Sequence, residues 1–362
     1  MPQAAFRLVW EHLRAGKIVA ALVKNLAKDG RYYWVVALIA PAGNGFLSVR
    51  FKPTGGFLAV VEPLNARMLV AEQAARSGGA ELAAAMDAGA AVLAEGLRAA
   101  GFGDYDAFMR AMLGAELKSR DETLVRERRI IVQRLGGDLA TRLKQDPVIG
   151  HLAAIYDDGC RAYDHLNQLY HRLDEFVAIN QALDKKSSFV NTLTAELSLA
   201  SMNVALASSR LGGEGLGLSV ISRHMGETSG DVAKSVSGLV TGINTLSSRL
   251  RVVIFNLAAA RLQIEMVLTF VHELISERST AEVRRERRGL IHTLHEAFSG
   301  TMGLASEALH DMENSAHGLS STSRDLERHM LSLQVAQLSG VVESTRLVRH
   351  EGFADIFAQI RE

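Results

Sequence analysis

The sequence predicts a mainly α protein, a long antiparallel helical hairpin or bundle of coiled-coil character preceded by a small, partial α+β unit at the N-terminus. Three observations predict it. Apolar residues make up 48% of the chain but aromatics only 6%, and the excess is carried by Ala, Leu and Val, which suit helix-on-helix packing. Proline is costly inside helices, and here Pro2, Pro41, Pro53 and Pro63 fall early, Pro147 stands alone and none follows it. Beyond Pro147 the apolar spacing becomes helical and stays so.

In the first part, Ala4 to Ala15 places Phe6, Val9, Trp10 and Leu13 at the spacing of one buried helix face, and Gly16 ends it. Three short segments then read as strands: Val19 to Lys24, Tyr32 to Ala40 and Phe46 to Phe51. Asp29-Gly30 and Gly43-Asn44-Gly45 separate them, and Asp-Gly predicts a type I′ hairpin turn. One helix and a three-stranded meander bury little by themselves, so another element must cover the sheet. From Glu62 to Leu135 the pattern is helical but broken at Gly78-Gly79, Gly101 and Gly103, which predicts a connector of weak internal stability. Its charged run, Lys118 to Arg129, reads as a solvated helix face.

From His165, Leu169, Phe176, Leu183, Val190, Leu197 and Val204 recur every seven residues. The accompanying seam, Leu166, Leu173, Asn180, Ser187, Thr194 and Ser201, turns polar or small. After Gly212, Gly213, Gly215 and Gly217 a second series runs through Val232, Val236, Leu239, Ile243, Leu246, Leu250, Val253, Leu257, Ala260, Ile264, Val267, Val271 and Leu274 in alternating steps of four and three. Two long helices joined by a glycine-rich turn predict an antiparallel hairpin roughly 80 to 90 Å long at ~1.5 Å per residue. A further helix returns through Leu290, Leu294, Met302, Ala305, Leu309, Met312, Leu319 and Leu326. The narrow seam leaves apolar surface for a second hairpin, which predicts a homodimer.

Several function classes are set aside by composition. Lys plus Arg and Asp plus Glu both number 40, so no net field recruits nucleic acid or an anionic membrane surface. A single cysteine, Cys160, leaves no internal disulfide and predicts a reducing, cytoplasmic setting. The apolar stretch Val252 to Ile275 is interrupted by Asn256, Arg261, Gln263, Glu265, His272 and Glu273, short of the ~20 clean residues of a span, so no membrane helix is expected. HELIS at His272 lacks the second histidine of a zinc motif, and His292 with His295 have no carboxylate pair or cysteine beside them. Gly212 to Gly217 has no Lys-Ser/Thr of a phosphate loop. Cys160 has no activating partner in the sequence. The expectation is that the chain is not an enzyme.

The stretch MPQAAFRLVWEHLRAGKIVAALVKNLAKDGRYYWVVALIAP, with FLSVRFKPT after it, resembles the second half of the PAS domain of aerotaxis-receptor-type chemoreceptors. The resemblance implies a domain that holds a flavin reporting redox state, with Trp10 and Asn25 at positions that contribute to the pocket. The family's preceding Arg-His-Pro-Asp stretch ends at the residue that is Met1 here, so the expectation is a start placed too late or a remnant domain. FAD is expected only if the missing half is supplied upstream. Leu26 stands where the family commonly has arginine.

LSLASMNVALASSRLGGEGLGLSVIS, Leu197 to Ser222, is similar to the tip of the signalling hairpin of methyl-accepting chemotaxis proteins. Asn203, Arg210 and Val220 match positions of the partner-binding tip, and Gly212, Gly215 and Gly217 match its glycines. Ala207, Gly213, Leu216 and Leu218 replace a glutamate, a second glutamate, an arginine and a phenylalanine. The glutamate or glutamine pairs of adaptation sites are not evident, so methylation is not expected. The resulting plan is a partial PAS domain (1–60), a helical connector (61–150), a chemoreceptor-like hairpin (151–280) with its tip near 209–217, and a returning C-terminal helix (281–362). The expected function is a cytoplasmic sensory transducer that acts as a homodimer on a chemotaxis histidine kinase and adaptor. The alternative is a dimeric scaffold without ligand or kinase coupling.

Overall fold

The computed structural model describes residues 1–127, 147–209, 215–276 and 281–346. The elements are α1 (Gln3–Arg14), β1 (Val19–Leu26), β2 (Tyr32–Ala42), β3 (Gly45–Phe51), α2 (Leu58–Ser77), α3 (Leu82–Ala99), α4 (Tyr105–Arg126), α5 (Pro147–Ser209), α6 (Leu216–Ser276) and α7 (Ala281–Arg346). The chain is mainly α with one small antiparallel sheet at the N-terminus, as its composition and periodicity predict. It divides into two compact units. The first combines Met1–Leu173 with Arg251–Ala308, the second Asp174–Leu250 with the described residues from Leu309 onward.

In the first unit the sheet is a meander in the order β1-β2-β3. Val19 faces Ile39 and Leu26 faces Tyr32 across the first pair, while Val36 faces Phe51 and Ala42 faces Gly45 across the second. The β1–β2 turn is wider than the two-residue loop that Asp29-Gly30 predicts. The Gly30 amide donates to the Ala27 carbonyl at 3.0 Å, and Gly30 takes a positive φ of 84° that an L side chain rarely adopts.

Helices α2 to α4, in the stretch expected as a connector, contribute Leu64, Met68, Leu97, Phe108, Met109, Met112, Leu113 and Leu117 to the core that also holds Val19, Leu22, Val36, Leu38 and Val49 of the sheet. The same core takes in Tyr170 of α5, Phe255, Ala258, Ala259 and Leu262 of α6 and Ala297 of α7. Two buried carboxylates tie backbone amides into it. Glu72 of α2 accepts from the Gln3 and Ala4 amides at 2.9 and 2.8 Å, satisfying orphan donors of the α1 N-terminus. Glu116 of α4 accepts from the Thr54 and Gly55 amides, both at 2.7 Å.

Along α5 in this unit, the buried residues are Tyr156, Tyr163, Leu166, Tyr170 and Leu173, with Leu169 exposed. Tyrosines spaced by seven thus supply the half of the seam that the sequence reading gave to Leu169. Gly159 lies on the same face, where a Cβ would approach Leu268 Cδ2 of α6 to 2.7 Å. Within α6 the four-and-three series is buried at every position except Leu239 and Leu246, which are half-buried. α6 also differs from the expectation drawn from its polar interruptions. It contains an 18-residue window of mean hydropathy 1.5, long and apolar enough by length and composition to cross a membrane, and 78% of that window is buried inside the protein.

In the second unit α7 lies against α6. Arg249 of α6 donates to the Asp311 carbonyl at 3.0 Å and pairs with its carboxylate at 3.0 Å. A Cβ on Gly242 would come within 3.0 Å of Leu319, and one on Gly238 within 3.3 Å of Thr322, so these glycines let the two helices approach closely. The Ser201 hydroxyl of α5 donates to the Ser222 carbonyl of α6 at 2.6 Å.

Candidate functional site

The residues singled out for a flavin do not converge. Trp10 sits near the end of α1 and is 45% exposed, its ring edge-on to Phe46 of β3 with centroids 5.4 Å apart. The helix face expected to be buried is therefore turned. Ala4 and Leu13 are buried while Phe6 and Trp10 are exposed, because the close approach of α1 to Gly89 and Glu72 is made through the small Ala4. Asn25 lies on β1 opposite Tyr33, with its buried Nδ2 lacking a hydrogen-bond partner. Phe46 pairs with Pro41, so the two sites lie eight positions apart along β2, about 26 Å at ~3.3 Å per residue.

The cavity enclosed under α1 is small and apolar. It measures about 50 Å³ and is lined by Phe6 and Val9 of α1, Leu22 of β1, Leu64 of α2, Leu97 of α3 and Phe108 of α4, among others. Drug- or cofactor-sized ligands occupy about 300–1,000 Å³. This cavity is thus too small for an isoalloxazine ring. Neither Trp10 nor Asn25 lines this cavity.

What the first unit does assemble is a buried polar network joining α4, α5 and α6. Arg120 and Asp121 are consecutive on α4, and Arg261 and Glu265 share a face of α6 one turn apart. Arg120 pairs with Glu265, one of its hydrogen bonds spanning 3.2 Å, and its guanidinium lies 5.7 Å from the Phe51 ring of β3. Arg261 pairs with Asp121 through contacts of 2.7 and 2.8 Å. Its guanidinium also donates to the Tyr163 hydroxyl at 3.4 Å and sits 5.7 and 5.9 Å from the rings of Tyr163 and Tyr170. Arg261 is only 2% exposed. Burial opposes its charge, yet the Asp121 hydrogen bond and the neighbouring Tyr163 and Asp121 charges outweigh that and hold its pKa above the ordinary value. Burial raises the Tyr163 pKa, against the pull of Arg261.

Sequence reasoning missed this network by treating Lys118 to Arg129 as solvated. Two members of that run, Arg120 and Asp121, are instead paired to α6. The signal that pointed to it was Arg261 and Glu265 standing one turn apart inside the most apolar stretch of the chain, where an unpaired charge is untenable. Gln263 lies between them, 1% exposed, with neither Oε1 nor Nε2 hydrogen-bonded.

A second charged cluster fixes α1 to α4. His12 Nδ1 meets the Leu8 carbonyl at 2.8 Å and Nε2 meets Asp106 Oδ1 at 2.6 Å, with Lys17 and Arg110 each 3.8 Å from Asp106 Oδ2. Burial pushes the Asp106 pKa up, but the hydrogen bond from His12 and the charges of His12, Lys17 and Arg110 together bring it below the ordinary value. The neighbouring Tyr105 is raised by burial and by Asp106, and its hydroxyl donates to the Ala20 carbonyl of β1 at 3.2 Å. The Cys160 pKa is raised by burial and by Asp157 and Asp164, which disfavours a reactive thiolate.

Of the tip residues, Asn203 on α5 and Val220 on α6 are both exposed, and Arg210 lies outside the described residues, as do most residues of the glycine-rich turn. No family model matches the chain. Over 69 residues it is 39% identical to the aerotaxis receptor of Escherichia coli strain K12, an alignment that covers 18% of this chain and 14% of that receptor's length. The similarity supports a chemotaxis-receptor-like relationship.

Proposed function

We propose that this chain is a cytoplasmic, non-enzymatic signal transducer of the chemotaxis and aerotaxis receptor type. In this reading the α+β unit at residues 1–60 is the input, and the hairpin over 151–280, with its tip near 209–217, is the output. The protein acts as a homodimer and biases a chemotaxis histidine kinase through an adaptor. One observation carries the reading. The sheet and the long helices share a single core, closed by the Arg120–Glu265 and Asp121–Arg261 pairs, so a change in the sheet or in α4 alters the packing of α6 directly. The partial identity with an aerotaxis receptor gives the same direction.

The mechanism is a shift between two packings of a helical unit by a few kcal/mol, the usual scale of such coupling. Buried charge networks suit it, because they permit discrete arrangements rather than graded ones. The cue need not be a bound flavin. FAD belongs to this reading only if the missing half of the domain is supplied upstream, and an absorbance spectrum of the purified protein tests for it.

The second reading, a dimeric scaffold that has lost kinase coupling, is favoured by Leu216, which is exposed where the resembling hairpins carry arginine. The deciding experiment adds the purified chain to a chemotaxis kinase and adaptor and measures kinase autophosphorylation. A change of several-fold that Arg261→Met abolishes without loss of binding supports transduction. Absence of binding to either protein supports the scaffold.

A further inference from the structure

Helix α7 is apolar on two opposite faces where its sequence is uncharged. From Met330 to Val342 it reads MLSLQVAQLSGVV, without one ionisable residue. One face is spent inside the second unit. Ala336 and Gly340 are buried and Leu333 is half-buried, with the Ser332 hydroxyl 3.3 Å from His224 Nε2 of α6 and Glu343 pressed against Gly217. Residues two apart on a helix point about 200° from each other. The opposite face therefore carries Leu331, Val335, Leu338 and Val342, spaced by four, three and four, and these are between 57% and 65% exposed.

A contiguous apolar stripe of this kind, rimmed by polar residues, marks an interaction surface. We infer that this outer stripe of α7 is a self-association surface, covered by the same stripe of a second copy of the chain. The area and the chemistry both fit that occupant. The stripe offers four large apolar side chains at roughly 100 Å² each, or ~400 Å². Protein interfaces are roughly 57% apolar, so this corresponds to ~700 Å² per protomer, or ~1,400 Å² in all, inside the ~1,200–2,000 Å² of stable interfaces. The flanking Ser332, Gln334, Gln337 and Ser339 are polar and uncharged. An isologous contact, in which each patch meets its own copy, thus brings no like charges together and needs no complementary field from another protein.

The surface lies on the returning helix rather than on the hairpin, and it supplies an interface for the homodimer proposed above, resting on that part of the reading. The test is sedimentation of the full chain at micromolar concentration, with Leu338→Glu as the disrupting variant and circular dichroism as the check on folding. Expected are a wild-type dimer and at least a hundredfold weaker association in the variant. Cross-linking gives an independent measure. Val335→Cys/Leu338→Cys in a Cys160→Ser background should oxidise to a covalent dimer, and Glu313→Cys in the same background should not.

A dimer unchanged by Leu338→Glu, with no cross-link at the stripe, overturns this surface and leaves the dimer itself standing. A wild-type monomer overturns both, while the kinase assay still decides the signalling reading. A monomer that gains mass only with added kinase and adaptor, and loses it in Leu338→Glu, also overturns self-association and assigns the stripe to those proteins.

Discussion

Replacing Asp121 by alanine removes the carboxylate that holds Arg261, and the structure sets the size of the effect. Two contacts of 2.7 and 2.8 Å disappear, and a guanidinium that is 2% exposed keeps only the Tyr163 hydroxyl at 3.4 Å and two aromatic faces. Breaking a buried pair from one side costs about 3–5 kcal/mol. Asp121 itself is partly exposed, so water reaches the gap and the lower end applies. About 3 kcal/mol is roughly a 150-fold shift in the local opening equilibrium. Hydrogen exchange followed by mass spectrometry reads it where it acts, in peptides covering 105–127 and 251–276, whose amides should exchange about a hundredfold faster. The double variant Asp121→Ala/Arg261→Met removes the stranded charge as well and should recover most of that protection. Acceleration below about threefold in the single variant, or a double variant as damaged as the single one, would refute the claim that this pair closes the core.

Three further outcomes follow from the same geometry. Gln263→Met replaces a buried amide with no hydrogen-bond partner by an apolar side chain of similar volume, and should raise stability by about 1–2 kcal/mol in urea denaturation. Glu72→Ala frees the Gln3 and Ala4 amides, costing about 2 kcal/mol, and should make α1 the first site of limited proteolysis. Asp106 has a folded pKa below its unfolded one, so its contribution is present above the ordinary carboxylate range and is lost as pH falls through the folded value. Asp106→Asn should therefore be less stable than the wild type at neutral pH and nearly equal to it in strong acid, which thermal melts across pH 2 to 7 would resolve.

Where periodicity governs, the fold was legible residue by residue. The series from Val232 to Leu274 foresaw the inward face of α6, and alternation with glycine-bearing turns foresaw the strands to within two residues at each end. The α1 face was misread because size ranked Phe6 and Trp10 above Ala4, whereas the contact to Gly89 selects the smallest side chain. On α5 the apolar count favoured Leu169, but the tyrosines serve the seam because Arg261 gives their rings and the Tyr163 hydroxyl partners. The network itself joins residues some 140 positions apart. No local pattern names such partners; the sequence shows only that Arg261 and Glu265, in an apolar stretch, need them.

Trp10 and Trp34 are the only tryptophans in the chain, and both belong to the first unit, one edge-on to Phe46 and the other beneath the Lys24 ammonium at 5.6 Å. Intrinsic fluorescence excited at the indole band is therefore blind to the second unit. Far-ultraviolet ellipticity, dominated by helices that run through both, is not. Superimposing the two melting curves would then measure whether the units lose order together or in turn, with no label attached and no residue changed.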